Sequence, residues 1–83
     1  MEKEKLNMYL QDLIHQRFSE TNLQKVMNGT FGKNVELNFV DDEYLLNGED
    51  YRIDFYCEDI VGSIWYLPTR DEDIFIITEI GLD

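Results

Sequence analysis

Carboxylate side chains are the most abundant ionisable groups in this sequence, and most of them occur in short clusters. The clusters are Asp41-Asp42-Glu43, Glu49-Asp50, Glu58-Asp59 and Asp71-Glu72-Asp73. Clustered carboxylates bind calcium when a loop supplies roughly six to eight oxygens, and otherwise they attract basic partners. An EF-hand loop needs glycine at its sixth position, but a loop that starts at Asp41 has Leu46 there and Arg52 at its twelfth position. We therefore expect no dedicated metal site.

One histidine and one cysteine are the other residues that could do chemistry. His15 follows Ile14 in a helical pattern, where a solvated side chain is expected. Cys57 falls in the apolar phase of a strand pattern, so we expect a buried thiol. The chain has no Gly-x-Ser-x-Gly, His-x-x-x-His or Cys-x-x-Cys motif. The sequence predicts neither catalysis nor a cofactor.

The net negative charge of the chain comes entirely from its second part. The formal net charge is −11, with five basic and four acidic residues in residues 1–33 but two arginines against 14 acids in residues 34–83. Such a chain repels nucleic-acid phosphates and anionic membranes, so direct binding to either is disfavoured. The segregation favours an acidic surface that binds a basic protein.

Length and composition predict a single domain over residues 1–83. The chain is 43% hydrophobic, which is enough for one core. A single cysteine cannot form an internal disulfide and fits a reducing compartment. No run of about 18 apolar residues and no secretory signal is present, so we expect a soluble, cytoplasmic protein.

The first third of the chain predicts two helices, over about residues 3–28. Apolar residues recur at helical spacing in a first stripe that runs from Leu6 to Phe18. Thr21 with Gln24 forms a capping-box pattern for a second helix. Asn28-Gly29 is a typical helix stop.

From Asn34 onward the period changes to two, which predicts a sheet over about residues 34–81. The expected strands cover 35–39, 51–58, 60–67 and 73–80. Asn47-Gly48 predicts a hairpin that pairs Tyr44 with Tyr51. A two-residue turn there would place Asn38 on the face of Phe55, so we also expect a bulge at Asp41-Asp42.

The expected fold is α+β, with two N-terminal helices packed on a four-stranded antiparallel β-meander. Alternate turns of a meander share one end of the sheet, so two acidic clusters are expected on the same rim. Exposed tyrosines would supply the apolar anchors that tight binding needs. The candidate partner-binding residues are therefore Glu49, Asp50, Asp71, Glu72, Asp73, Tyr44, Tyr51 and Tyr56.

In size, acidity and α+β make-up the chain resembles small acidic proteins of phages and mobile elements, such as uracil-DNA glycosylase inhibitors and some anti-CRISPR proteins. The resemblance implies a stoichiometric inhibitor that occupies the basic groove of a nucleic-acid enzyme by mimicking nucleic acid. An immunity protein or antitoxin that neutralises a basic toxin would use the same physics. A homo-oligomeric accessory subunit, such as a homodimer, is the third hypothesis, because the last two strands are apolar on both faces.

Overall fold

The computed structural model describes residues 3–40 and 51–83. In this part of the chain there are two helices and five strands. In chain order they are α1 (Lys3–Gln11), β1 (Arg17–Phe18), α2 (Glu20–Phe31), β2 (Glu36–Val40), β3 (Tyr51–Cys57), β4 (Ile60–Pro68) and β5 (Phe75–Leu82).

The strands form one antiparallel sheet in the order β1-β5-β4-β3-β2. The α+β class is confirmed, and β2 to β5 are neighbours in chain order, as in a meander. The number of strands is wrong by one, because β1 pairs with β5 through Arg17 opposite Ile76 and Phe18 opposite Phe75. A strand of two residues is too short to show alternation in the sequence.

Helix α1 is shorter than its apolar stripe predicts. It ends at Gln11, and residues 12–15 form turns that lead into β1. His15 has a φ of 71°, a left-handed conformation that stops a helix. Its N–H donates to the Ile77 carbonyl at 2.7 Å, so pairing with β5 replaces further helical hydrogen bonds. Leu13 and Phe18 are buried all the same.

Helix α2 begins and ends with caps other than the predicted ones. Ser19 is the N-cap, and its Oγ accepts from the Asn22 N–H at 3.2 Å. The helix continues past Asn28-Gly29 to Phe31 and ends on Gly32, whose φ is 69°. Asn28 does not stop the helix, because its Oδ1 accepts from the Val35 N–H at 2.8 Å. This bond fixes the start of β2 against α2.

The register between β2 and β3 keeps the apolar residues of both strands on one face. Leu37 pairs with Phe55 and Phe39 with Ile53, as the phase argument requires. A two-residue turn at Asn47-Gly48 would pair Asn38 with Cys57. Asn38 pairs instead with Asp54, so the register differs from that expectation by three residues. The expected turn at Asn47-Gly48 and the expected bulge at Asp41-Asp42 lie outside the described residues.

A bulge in the β4–β5 ladder brings Ile77 and Ile80 of β5 to the same face of the sheet. The register shifts between Trp65 and Tyr66, so that Trp65 pairs with Glu79 and Tyr66 with Ile77. A regular strand would place Ile77 and Ile80 on opposite faces. The extra residue allows both to be buried on the inner face of the sheet, which we define as the face of Ile53 and Phe55.

The inner face and the two helices contribute to one hydrophobic core. Leu6 and Leu10 of α1 and Leu23 and Met27 of α2 are almost completely buried, each pair at a spacing of one helical turn. The Phe31 ring lies edge-on to Phe55 with centroids 5.9 Å apart. Further buried members of the core are Leu13, Phe18, Val35, Ile53, Phe55, Cys57, Ile64, Phe75, Ile77 and Ile80.

Candidate partner-binding groove

A row of aromatic rings covers the inner face of the sheet at the end where β4 turns into β5. Tyr51 of β3 stacks on Tyr66 of β4, with ring centroids 5.6 Å apart and planes at 25°. Tyr66 in turn contacts Phe75 of β5 at 4.7 Å. Phe39 of β2 lies edge-on to both Tyr66 and Phe75 at 6.2 Å. Tyr66 is therefore the centre of a four-ring cluster.

The rings form the floor of an open groove of about 570 Å³. The β4–β5 loop lies on one side of this groove and the first turn of α2 on the other. We call it the aromatic groove, and the residues lining it are Ser19, Glu20, Thr21, Phe39, Tyr51, Tyr66, Pro68, Glu72, Asp73, Ile74 and Phe75. Tyr51 is 39% exposed, so its ring is accessible from solvent.

Three exposed carboxylates line the groove and no lysine or arginine does, among the residues the structure describes. They belong to Glu20 at the start of α2 and to Glu72 and Asp73 in the β4–β5 loop. A helix N-terminus carries a partial positive charge of roughly half a unit. Three full negative charges exceed it, so the groove is electronegative.

Hydrogen bonds within the β4–β5 loop order the backbone that carries Glu72 and Asp73. The Thr69 N–H donates to the Ile74 carbonyl at 3.2 Å and closes the loop. The Thr69 hydroxyl accepts from the Asp71 N–H and lies 2.7 Å from the same Ile74 carbonyl. The Asp71 carboxylate accepts from the Asp73 N–H at 3.0 Å. Asp71 thereby shapes the loop that carries Glu72 and Asp73.

The structure brings together only part of the predicted binding set. Glu72, Asp73 and Tyr51 line the groove. Asp71 lines a separate depression with Arg17 and Arg70. Tyr56 is 39% exposed, but it alternates with Phe55 and therefore lies on the outer face of the sheet. Tyr44, Glu49 and Asp50 lie outside the described residues.

The charged and aromatic groove residues that were absent from the predicted set are Glu20, Phe39, Tyr66 and Phe75. The rings of Phe39 and Phe75 look like ordinary core residues in the alternating patterns of their strands. Tyr66 follows Trp65 in a run that is apolar on both faces of β4, so the sequence does not show which of the two rings lines a groove. Glu20 belongs to the N-terminal part of the chain, where basic and acidic residues nearly balance, so the charge pattern does not single it out.

The opposite end of the sheet carries a separate charged feature. The β3–β4 turn contains Glu58, whose φ is 54°. Its Oε1 accepts from the Lys33 ammonium at 2.7 Å. This hydrogen bond, together with the negative charge of Glu58, raises the pKa of Lys33. Both side chains are more than half exposed, so the pair contributes little to stability.

Residues 3–40 and 51–83 contain neither a cluster of metal-ligating side chains nor a helix that could span a membrane. No group of three His, Cys, Asp or Glu side chains within these ranges is arranged to hold a metal ion. Neither of the helices found there has the length and hydrophobicity needed to cross a membrane. Cys57 is free and buried. The aromatic groove remains the strongest candidate site in the described part of the chain.

Comparison with known proteins returned no matching family model, curated protein or solved structure.

Proposed function

We propose that this protein is a small acidic inhibitor that binds the basic groove of a nucleic-acid-acting enzyme in place of the nucleic acid. The observation that carries the proposal is the combination of three carboxylates with exposed aromatic surface in one groove. Glu72 and Asp73 project from a loop that is hydrogen-bonded internally. A preformed acidic surface needs little ordering when a basic partner binds.

We propose a nucleic-acid enzyme as the partner because of the side chains that line the binding channels of such enzymes. Their binding channels combine lysine and arginine side chains with aromatic platforms on which bases stack. An acidic loop complements the basic side chains, and the ring of Tyr51 complements the platforms. A free Cys57 fits the reducing interior of a cell, where such enzymes act, and we place the protein in the cytoplasm.

An immunity protein for a nuclease toxin remains within this proposal, because its target would also have a basic groove. A homo-oligomeric subunit is the alternative function from another class. It rests on strands that are apolar on both faces, and the outer face of the sheet carries Leu67 opposite Ile76. Leu67 is 40% exposed, but no carboxylate groove is needed for self-association, so we place the inhibitor first.

Competition with nucleic acid tests the proposal. The full chain is immobilised, basic proteins are captured from a lysate of the source cell, and duplex DNA or RNA is added as competitor. We expect a captured enzyme that is displaced by nucleic acid, and whose activity falls to zero at one equivalent of the inhibitor. An enzyme that binds the protein and nucleic acid at the same time would contradict the proposal, as would the absence of any nucleic-acid enzyme among the captured proteins.

A further inference from the structure

The aromatic groove has features beyond its charge that specify one chemical group on the partner. Tyr51, Tyr66 and Phe75 form a row across three adjacent strands, with centroid spacings of 5.6 Å and 4.7 Å. The first two rings are nearly parallel, with planes at 25°. Tyr51 ends this row and is the most exposed of the three rings. Part of its ring is therefore accessible to a planar group of a partner.

We propose that the groove binds an arginine side chain of the protein partner, with its guanidinium stacked on Tyr51 and hydrogen-bonded to the carboxylates of Glu72 or Asp73. This inference rests on the proposed function and names the group that the partner contributes. Guanidinium is planar, always charged, and stacks on aromatic faces. It also donates several N–H groups in a fork that matches a carboxylate.

Arginine suits this groove better than lysine does. A lysine ammonium is a compact and strongly hydrated point charge, and aromatic sites that bind such groups enclose them on several sides. Tyr51 and Tyr66 are instead nearly parallel neighbours in an open groove. Open aromatic surface beside several carboxylates favours a planar, multiply donating cation.

A small probe tests this binding mode without knowledge of the partner. The full chain is titrated with Nα-acetyl-arginine amide, and ring and backbone resonances are followed by NMR. The citrulline analogue is the matched control, because it keeps the shape of the side chain but has no charge. We expect saturable shifts centred on Tyr51, Tyr66 and the β4–β5 loop. The citrulline analogue should bind at least about fivefold more weakly than the arginine probe.

Two variants separate the contribution of the ring from other effects. Tyr51→Leu keeps an apolar side chain but removes the aromatic face, and it should weaken binding of the arginine probe by about threefold. Tyr51→Phe keeps the face and should bind within about twofold of the native chain. Glu72→Gln should lower the affinity for the arginine probe and leave the affinity for the citrulline probe unchanged. Nα-acetyl-lysine amide is titrated in the same way. Equal affinity for the arginine and citrulline probes, or equal affinity for the arginine and lysine probes, would overturn the inference.

The outcome is distinguishable from that of the proposed function. Tyr51→Leu can also be compared with the native chain against the captured enzyme. If competition with nucleic acid is observed but the arginine probe shifts only residues on the outer face, the inhibitor proposal stands and the arginine site is wrong. If the probe binds in the groove but no nucleic-acid enzyme is captured, the arginine site stands and the inhibitor proposal is wrong.

Discussion

Gly62 of β4 shows how closely the inner face of the sheet is packed. It pairs with Phe55 of β3, whose ring is completely buried. A Cβ at Gly62 would overlap the Phe55 ring and would lie 2.6 Å from the carbonyl oxygen of Gly81. The backbone oxygen cannot move without disturbing the β4–β5 ladder. Glycine is therefore required here for space rather than for an unusual φ.

Gly62→Ala should lower the free energy of unfolding by about 1–3 kcal/mol, because overpacking forces the core to shift. Gly29→Ala is the matched control, since nothing lies within 4 Å of a Cβ at Gly29 in α2. That variant should raise stability by up to about 1 kcal/mol, because alanine favours the helix. Urea denaturation measures both values. Gly62→Ala with native stability would show that β4 packs differently from the structure described.

The helices show how much of the fold could be predicted from the sequence. The apolar spacing of Leu6 with Leu10 and of Leu23 with Met27 predicts both helices and their buried sides. The end of α1 could not be predicted, because the interaction that decides it is tertiary. His15 bonds to Ile77 of a distant strand, which ends the first helical stripe early.

The capping pattern at Thr21 and Gln24 was wrong for a similar reason. The Gln24 amide donates to the Val35 carbonyl at 2.6 Å instead of reaching back to the start of the helix. The strands were easier to predict, because the alternation of apolar and polar residues, as in Tyr51–Cys57, indicates which face of the strand is buried. The bulge opposite Trp65 and Tyr66 has no local signal, and it is this bulge that brings Ile77 and Ile80 of β5 to the same face.

Two substitutions at the start of α2 compare the observed cap with the predicted one. Ser19→Ala should cost about 1 kcal/mol, because it removes the acceptor for the Asn22 N–H. Thr21→Ala should leave stability unchanged or raise it slightly, because Thr21 lies inside the helix and alanine is the better helix former. Thermal unfolding of both variants gives the comparison. A larger loss for Thr21→Ala than for Ser19→Ala would place the cap at Thr21.

At the scale of the whole molecule, the acidic character of the groove could be predicted from the sequence better than the set of residues that line it. The acidic β4–β5 loop was expected on a sheet rim, and Glu72 and Asp73 lie there. Glu20 joins them from a helix that is distant in sequence, so no local pattern could include it. The aromatic floor depends on the register of four strands and on one bulge.

This geometry also decides which substitutions form a clean comparison. Asp71 is unsuitable for charge reversal, because its carboxylate holds the loop by accepting from the Asp73 N–H. Glu20 is unsuitable as a control on the helices, because it lines the groove. Glu72 and Asp73 can be reversed together, and Glu4 and Asp12 are exposed acidic residues outside the groove lining. Both pairs change the formal charge of the chain by the same amount.

The most direct test of the acidic groove is the affinity of these two double variants for the nucleic-acid enzyme captured by competition. Glu72→Lys with Asp73→Lys should weaken binding by about tenfold or more, since it places like charges against a basic surface. Glu4→Lys with Asp12→Lys should change the dissociation constant by no more than about twofold, because screening limits the reach of exposed charges to about 8–10 Å. Native stability of both variants, measured by urea denaturation, confirms that folding is unaffected. Equal losses of affinity in the two variants would contradict the account, because net charge alone, and not the groove, would then govern binding.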